Sequence, residues 1–233
     1  MSTNGTHLLN AQEIYFAGGE PLVTEEHYLI LQYLIKHNIT KVKLRYNTNF
    51  SILTFKGHDI LDYWSKFEKV ELLASIDESN ELGEYIRKEL KWQTFVENRK
   101  KIEHLDHISF KISPTVSVFN MATLPDFYKL CLSKKIIAKS AIYINLLDRP
   151  FHYSCKILSP DVKAKITSDY GYFIDWCKKE SIPKDVIRQF EDALNFMNKD
   201  NYHDKYWPIF LKETERLDSI RNENISHLKT RFL

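Results

Sequence analysis

Glycine is scarce in this 233-residue chain, which has six, and cysteine is scarcer, at three. Cys131, Cys155 and Cys177 are far apart and odd in number, which argues against a disulfide framework and fits reduced thiols. No two of them have metal-ligand spacing, so no metal ligand is assigned. An excess of charge of one sign is also missing. The 33 Lys and Arg stand against 31 Asp and Glu, and a net charge of +2 leaves no electrostatic footprint for nucleic acid or an anionic membrane. A small molecule or a peptide is therefore the expected partner. No apolar run approaches the length of a membrane span, and Met1 to Gln12 has neither the basic nor the apolar region of a signal peptide. The expected location is cytoplasmic.

The little glycine there is concentrates in one place, Ile14-Tyr15-Phe16-Ala17-Gly18-Gly19-Glu20-Pro21-Leu22. An apolar strand runs there into a pair of glycines, so the backbone either turns where a Cβ would clash or comes close to something. Pro21 drives Glu20 into an extended conformation, and Thr24 is placed as the N-cap of the next helix. Glu20 then stands at the carboxyl end of a strand, where open α/β sheets and barrels place their ligands. From this stretch alone, a tight turn with a solvated acid fits equally well.

The rest of the chain repeats the strand-then-helix unit. Strands are expected at Glu13 to Ala17, Lys41 to Asn47, Val70 to Ile76, His107 to Ser113 and Ala141 to Leu146, with Phe151 to Leu158 as one more short strand. Helices are expected at Glu25 to His37, with Asn38 as its left-handed stop, around His58 to Phe67, at Glu81 to Leu90 and Trp92 to Leu105, and from Thr123. Beyond Ser159 the pattern turns helical, with Ile182 to Asn198 and Asp204 to Ile220 following a Ser-Pro-Asp start. Strand ends recur about 30 residues apart, the size of one βα unit feeding a parallel strand. The expected domains are thus an α/β part over residues 1–158 and a helical extension over residues 159–233.

One parity of these strands is apolar and the other polar, with Lys43, Arg45 and Asn47; Glu71, Ser75 and Asp77; His107, Ser109, Lys111 and Ser113; and Tyr143 and Asn145 in the polar rows. A closed barrel fills its interior with branched apolar side chains, so an open, partial barrel with a wet lumen is the better match. An antiparallel sheet with one solvated face is the alternative. On the barrel reading, Lys43, Arg45, Ser75, Asp77, Lys111 and Asn145 point into one cavity, while Val42, Leu44, Leu72, Ile112 and Ile144 pack under helices.

The three strand ends Gly18-Gly19-Glu20-Pro21, Asn47-Thr48-Asn49 and Ser75-Ile76-Asp77 resemble the radical S-adenosylmethionine superfamily, most of all its branch with a twitch-like C-terminal extension. The resemblance covers roughly Leu8 to Leu158. It implies an open partial (β/α)6 barrel of the TIM type, here missing its first βα unit, followed by the helical extension. It also implies that Gly18, Gly19 and Glu20 bind the amino group of S-adenosylmethionine, and that Asn49, Ser75 and Asp77 bind its ribose or carboxylate. Arg87, in Glu84-Tyr85-Ile86-Arg87, would be a charged partner for that carboxylate. A solvated helix face is the other reading of Arg87.

The family's three-cysteine motif, which holds a [4Fe-4S] cluster, has no counterpart in this chain, so the cluster of a complete family member is not ligated here and no catalytic residue is assigned. The expectation is the C-terminal part of a radical enzyme, either a truncated copy or one piece of a split protein whose separate N-terminal piece carries the cluster, and inert alone. The alternative is a non-catalytic module that binds a small molecule or peptide on a degenerate S-adenosylmethionine barrel. His104 with His107, and His152 with Cys155, are weaker candidates for a metal and a nucleophile pair. The aromatic run Tyr202 to Phe210 reads as a core anchor for the last helix.

Overall fold

The computed structural model describes residues 11–228, and the chain divides into two compact units that interleave in sequence. The first comprises residues up to Ser75 with Leu90–Ile112, and the second comprises Ile76–Glu89 with Ser113 onward. The boundary expected from the sequence, 158/159, is not where this division runs.

The first unit is an α/β layer. Its strands β1 (Glu13–Phe16), β2 (Lys43–Thr48), β3 (Val70–Ala74) and β4 (Ile108–Ile112) form one sheet in sequential order, every pair parallel. Glu13 lies beside Lys43, Arg45 beside Glu71, and Val70 beside Ile108. The parallel ladder rules out the antiparallel alternative. Helices α1 (Glu25–Lys36) and α2 (Ile60–Trp64) fill the first two crossovers. In the third, α3 (Asn80–Ile86) belongs to the second unit and α4 (Trp92–Ile102) to the first.

The strand periodicity decides which face the helices take. Val42, Leu44, Tyr46, Val70, Leu72 and Ile112 are all buried. His27 of α1 meets the Tyr46 hydroxyl at 2.9 Å, Trp64 of α2 lies 5.4 Å from the Tyr46 ring, and Phe95 of α4 lies 6.1 Å from Phe110. All three helices therefore cover one face, as right-handed crossovers in an unreversed strand order require. The opposite face keeps the polar row of β2 and β3 as an ion-pair lattice: Lys43 bridges Glu13 at 3.0 Å and Glu71 at 2.5 Å, and Lys111 reaches Glu71 at 3.7 Å. Lys43, Arg45 and Lys111 are 35, 38 and 43% exposed, so this face is open rather than sealed in a lumen.

The second unit is mainly helical. It holds α3, a parallel two-residue pairing of β5 (Thr115–Val116) with β6 (Asn145–Leu146), and helices α5 (Leu124–Ser133), α6 (Pro160–Lys179), α7 (Lys184–Lys199) and α8 (His203–Arg221). Phe173 of α6 packs 4.7 Å from Phe190 of α7, and Tyr128 of α5 lies against both rings. Phe210 of α8 is buried against Phe119 and Tyr153, the anchoring role expected of that aromatic run.

Two expected strands fail for a visible reason. Between Ala141 and Leu146 only the last two residues are strand, because Gln189 of α7 accepts from the Ile144 amide at 2.8 Å and donates to the Ile142 carbonyl at 3.3 Å. The side chain takes up backbone groups that a neighbouring strand would otherwise pair. Phe151 to Leu158 is two 3-10 turns, the second opened by the Ser154 hydroxyl accepting from the Lys156 amide. Among the described residues the sheet has four strands, not five or six. Ile144 and Asn145, expected in the barrel wall, lie in the second unit and are half-buried.

Candidate functional site

The chain between β1 and α1 is held as the sequence demands. Gly18 and Gly19 take φ of +88° and +59°, a left-handed pair that a side chain would strain, and both are exposed. Glu20 is extended at φ −123° because Pro21 follows it. Thr24 occupies the N-cap of α1, yet its hydroxyl turns back to donate to the Pro21 carbonyl at 3.0 Å and makes no capping bond.

The Glu20 carboxylate ties this loop to the end of β2. Oε1 accepts from the Leu22 amide at 3.2 Å and from the Thr48 hydroxyl at 2.6 Å, and Oε2 accepts from the Asn49 amide at 2.6 Å. Thr48 Oγ1 in turn accepts from the Phe50 amide at 2.9 Å, and the Thr48 carbonyl accepts from the Ser75 amide at 2.8 Å. Three successive strand ends are thereby stitched together. Glu20 is not a freely solvated acid: three of the roughly four acceptor positions of a carboxylate are occupied. Its bonds anchor the residue that follows the Gly-Gly pair, and both glycines are exposed.

Gly18, Gly19, Glu20, Asn49 and Ser75 thus belong to the first unit, and Asp77 and Arg87 to the second. Asp77 is buried; its Oδ2 lies 2.8 Å from Arg87 Nε, and its Oδ1 accepts from Arg87 Nη2 at 3.3 Å and from the Thr115 amide at 2.7 Å. Asn120 supports the same residue by donating Nδ2 to the Asp77 carbonyl at 2.9 Å. Helix α3 stops at Ile86, so Arg87 is extended at φ −110° and is not on a helix face. Its side chain is 27% exposed and reaches a cavity of about 330 Å³.

That cavity was not foreseen from the sequence, nor were Thr48, Thr115, Asn120 and Gly83, which position the foreseen residues. Gly83 lies in α3 where a Cβ would stand 2.0 Å from the Glu78 carbonyl oxygen. A lone glycine inside a helical pattern is the signal that marks it. Glu78 itself is buried, and burial raises its carboxyl above the ordinary range against the hydrogen bonds of Thr123 and Ser79.

The three thiols do not form a metal centre. Each is completely buried; burial pushes Cys155 up to about 12 and Cys177 to about 11, and Cys131 further. A thiolate ligand has to lose its proton, and these sites oppose that. Among the described residues no group of three or more His, Cys, Asp or Glu is placed to hold a metal ion, and no helix is long and apolar enough to cross a membrane. Neither protein-family models nor curated proteins give a match to the chain.

Proposed function

We propose that this chain is the S-adenosylmethionine-holding part of a radical enzyme, built on an open partial (β/α) barrel whose [4Fe-4S] ligands come from outside it. The observation that carries the reading is the Glu20 clasp, which fixes an exposed Gly-Gly backbone at the carboxyl end of β1 beside the end of β2. The sequential parallel order of β1 to β4, with helices on one face only, supports the barrel. An ammonium group needs closely held acceptors, and the carbonyls of Gly18 and Gly19 with the remaining lone pair of Glu20 fit that demand. Asn49 and Ser75, on the neighbouring strand ends, are assigned to the ribose or carboxylate. Asp77 and Arg87, in the second unit, are not assigned to this ligand; there Asp77 holds Arg87.

The cluster does not fit this chain's own residues, since its three thiols are buried and, among the described residues, no group of three or more ligating side chains is placed to hold a metal. A bound cluster would supply the electron that cleaves the cofactor; without one the chain alone binds and orients but does not cleave. The buried thiols equally favour a second reading, a non-catalytic module that keeps the same strand-end site for a small molecule or peptide.

Calorimetric titration of S-adenosylmethionine into the wild type and into Gly19→Val tests the binding claim. Weak binding that Gly19→Val abolishes is expected; no saturable binding overturns it. Anaerobic reconstitution with iron and sulfide, followed by iron counting and assay of 5′-deoxyadenosine, tests the rest. No retained iron and no cleavage is expected of the chain alone, and cleavage restored by an added cluster-bearing piece separates the enzyme from the module.

A further inference from the structure

The cavity of the second unit is walled mainly by apolar groups. Phe119 lies 5.9 Å from the Tyr85 ring and 5.6 Å from the Tyr153 ring, and Ile86, Leu147 and Leu217 complete the wall. Its volume of about 330 Å³ is at the small end of the range for small-molecule sites.

The polar groups around it divide into spent and unspent. Asp77 is committed to Arg87 and the Thr115 amide. The Tyr85 hydroxyl donates to Asp218 at 2.8 Å, and the Ser117 hydroxyl donates to Asn120 at 3.3 Å. Arg221, the last residue of α8, spends only Nη1, which donates to the Tyr85 carbonyl at 3.2 Å and lies 3.9 Å from Glu223. Its Nε and Nη2, the Thr115 hydroxyl and the Tyr153 hydroxyl take no partner among the described residues. The unspent groups lining the cavity are thus two N–H groups of a guanidinium and two hydroxyls; the carboxylate beside Arg221, that of Glu223, leaves Oε2 without a hydrogen bond but does not line the cavity. Burial raises the Tyr153 phenol above its ordinary range, so it stays a neutral donor at physiological pH.

We infer that this cavity binds a small carboxylate with a flat apolar body, the carboxylate on Arg221 and the body against Phe119, Tyr85 and Leu217. A planar guanidinium with adjacent unspent N–H groups matches a carboxylate, and the ring wall matches a flat hydrophobic body. The site goes beyond the S-adenosylmethionine reading and is lined by residues of the second unit alone.

The test titrates indole-3-acetate, phenylacetate and the neutral phenylacetamide into the full chain, followed by ligand-detected NMR. The carboxylates are expected to bind at least about tenfold tighter than the amide, the difference a charge-assisted hydrogen bond makes. Arg221→Gln should erase that preference by bringing the carboxylates down to the level of the amide, and Leu217→Trp should fill the cavity and remove both. Thermal unfolding of each variant checks that it folds, and the wild-type carboxylate-to-amide ratio decides the matter if a variant does not. Equal binding of acid and amide, a preference that survives Arg221→Gln, or binding that survives Leu217→Trp overturns the inference. Gly19→Val separates the two sites: loss of S-adenosylmethionine binding with indole-3-acetate binding intact is expected. Indole-3-acetate binding to a wild type that ignores S-adenosylmethionine would sink the functional reading alone.

Discussion

Glu20 Oε2 accepts the backbone amide of Asn49 at 2.6 Å, across 29 residues of chain. With the Thr48 hydroxyl on Oε1 at the same distance, both carboxylate oxygens tie the loop after β1 to the end of β2. Such charge-assisted bonds are shorter and stronger than neutral ones.

Glu20→Gln keeps the shape and replaces one acceptor oxygen with a donor, which then faces either the Asn49 amide or the Thr48 and Leu22 donors. The expected loss is about 1–3 kcal/mol of unfolding free energy, read from denaturant titration. Glu20→Ala should cost a similar amount and should also weaken S-adenosylmethionine binding, since the Gly-Gly loop loses its anchor. If either variant is as stable as the wild type, the clasp does not order the loop.

Gly83→Ala provides a test with an opposite local expectation. By helix propensity alone, alanine stabilises a helix interior by about 1 kcal/mol relative to glycine. Here the new Cβ meets the Glu78 backbone oxygen at 2.0 Å, and backbone cannot move aside as a side-chain tip can. Overpacking of this kind costs about 1–3 kcal/mol and occasionally more. A destabilised variant with a displaced Arg87 is expected, seen as a lower unfolding midpoint; a stabilised one would show that the start of α3 yields.

The buried imidazole of His27 sets a pH dependence. Burial lowers its pKa from the ordinary 6.5 to about 4, so the folded protein holds it neutral. Between those values the unfolded chain binds the extra proton and the folded one does not, so stability falls as pH drops through that window. The full stabilisation is present above the unfolded pKa, and its loss by about pH 4 amounts to roughly 3 kcal/mol. His27→Phe keeps an aromatic ring beside Phe16 and should flatten the stability profile from neutral pH down through this window. An unchanged acid slope in that variant would assign the effect to other groups.

What the sequence made legible follows from what each signal measures. Strand periodicity located β1 to β4 and the parity of β2, because one face packs under helices and the other meets water. The Gly-Gly-Glu-Pro stretch located the strand-end turn, since φ and ψ there are forced locally. It did not show that Glu20 is occupied, because its partner Thr48 stands 28 residues away and by parity belongs to the apolar face. The same limit explains the lost strand at 141–144: Gln189 replaces a strand partner from 45 and 47 residues away. Arg87 falls within the helical pattern because nothing local stops α3, whereas in the structure it is extended and paired with Asp77. The cavity was not visible because its wall comes from Asp77, Phe119, Tyr153 and Arg221, spread over more than half the chain.

The Asp77–Arg87 pair is the last test, and the one that separates architecture from ligand binding. Asp77 is buried and its carboxylate is fully engaged, by Arg87 on one side and the Thr115 amide on the other. Asp77→Asn therefore leaves a cation facing a neutral amide and weakens the Thr115 bond. Removing one partner of a fully buried pair costs about 3–5 kcal/mol. Arg87 is about a quarter exposed, so water recovers part of this and the expected loss is about 2 kcal/mol. Arg87→Gln should cost less, because it removes the exposed member and leaves Asp77 its amide donor. In the double variant the two losses should not add: a coupling of about 1 kcal/mol or more in denaturant unfolding is expected of residues in direct contact. If indole-3-acetate binding in the cavity that both residues line falls equally in Arg87→Gln and Asp77→Asn, with strong coupling, Asp77 acts through Arg87. If binding falls in Asp77→Asn but persists in Arg87→Gln, the carboxylate itself meets the ligand and the positioning role given to it is wrong.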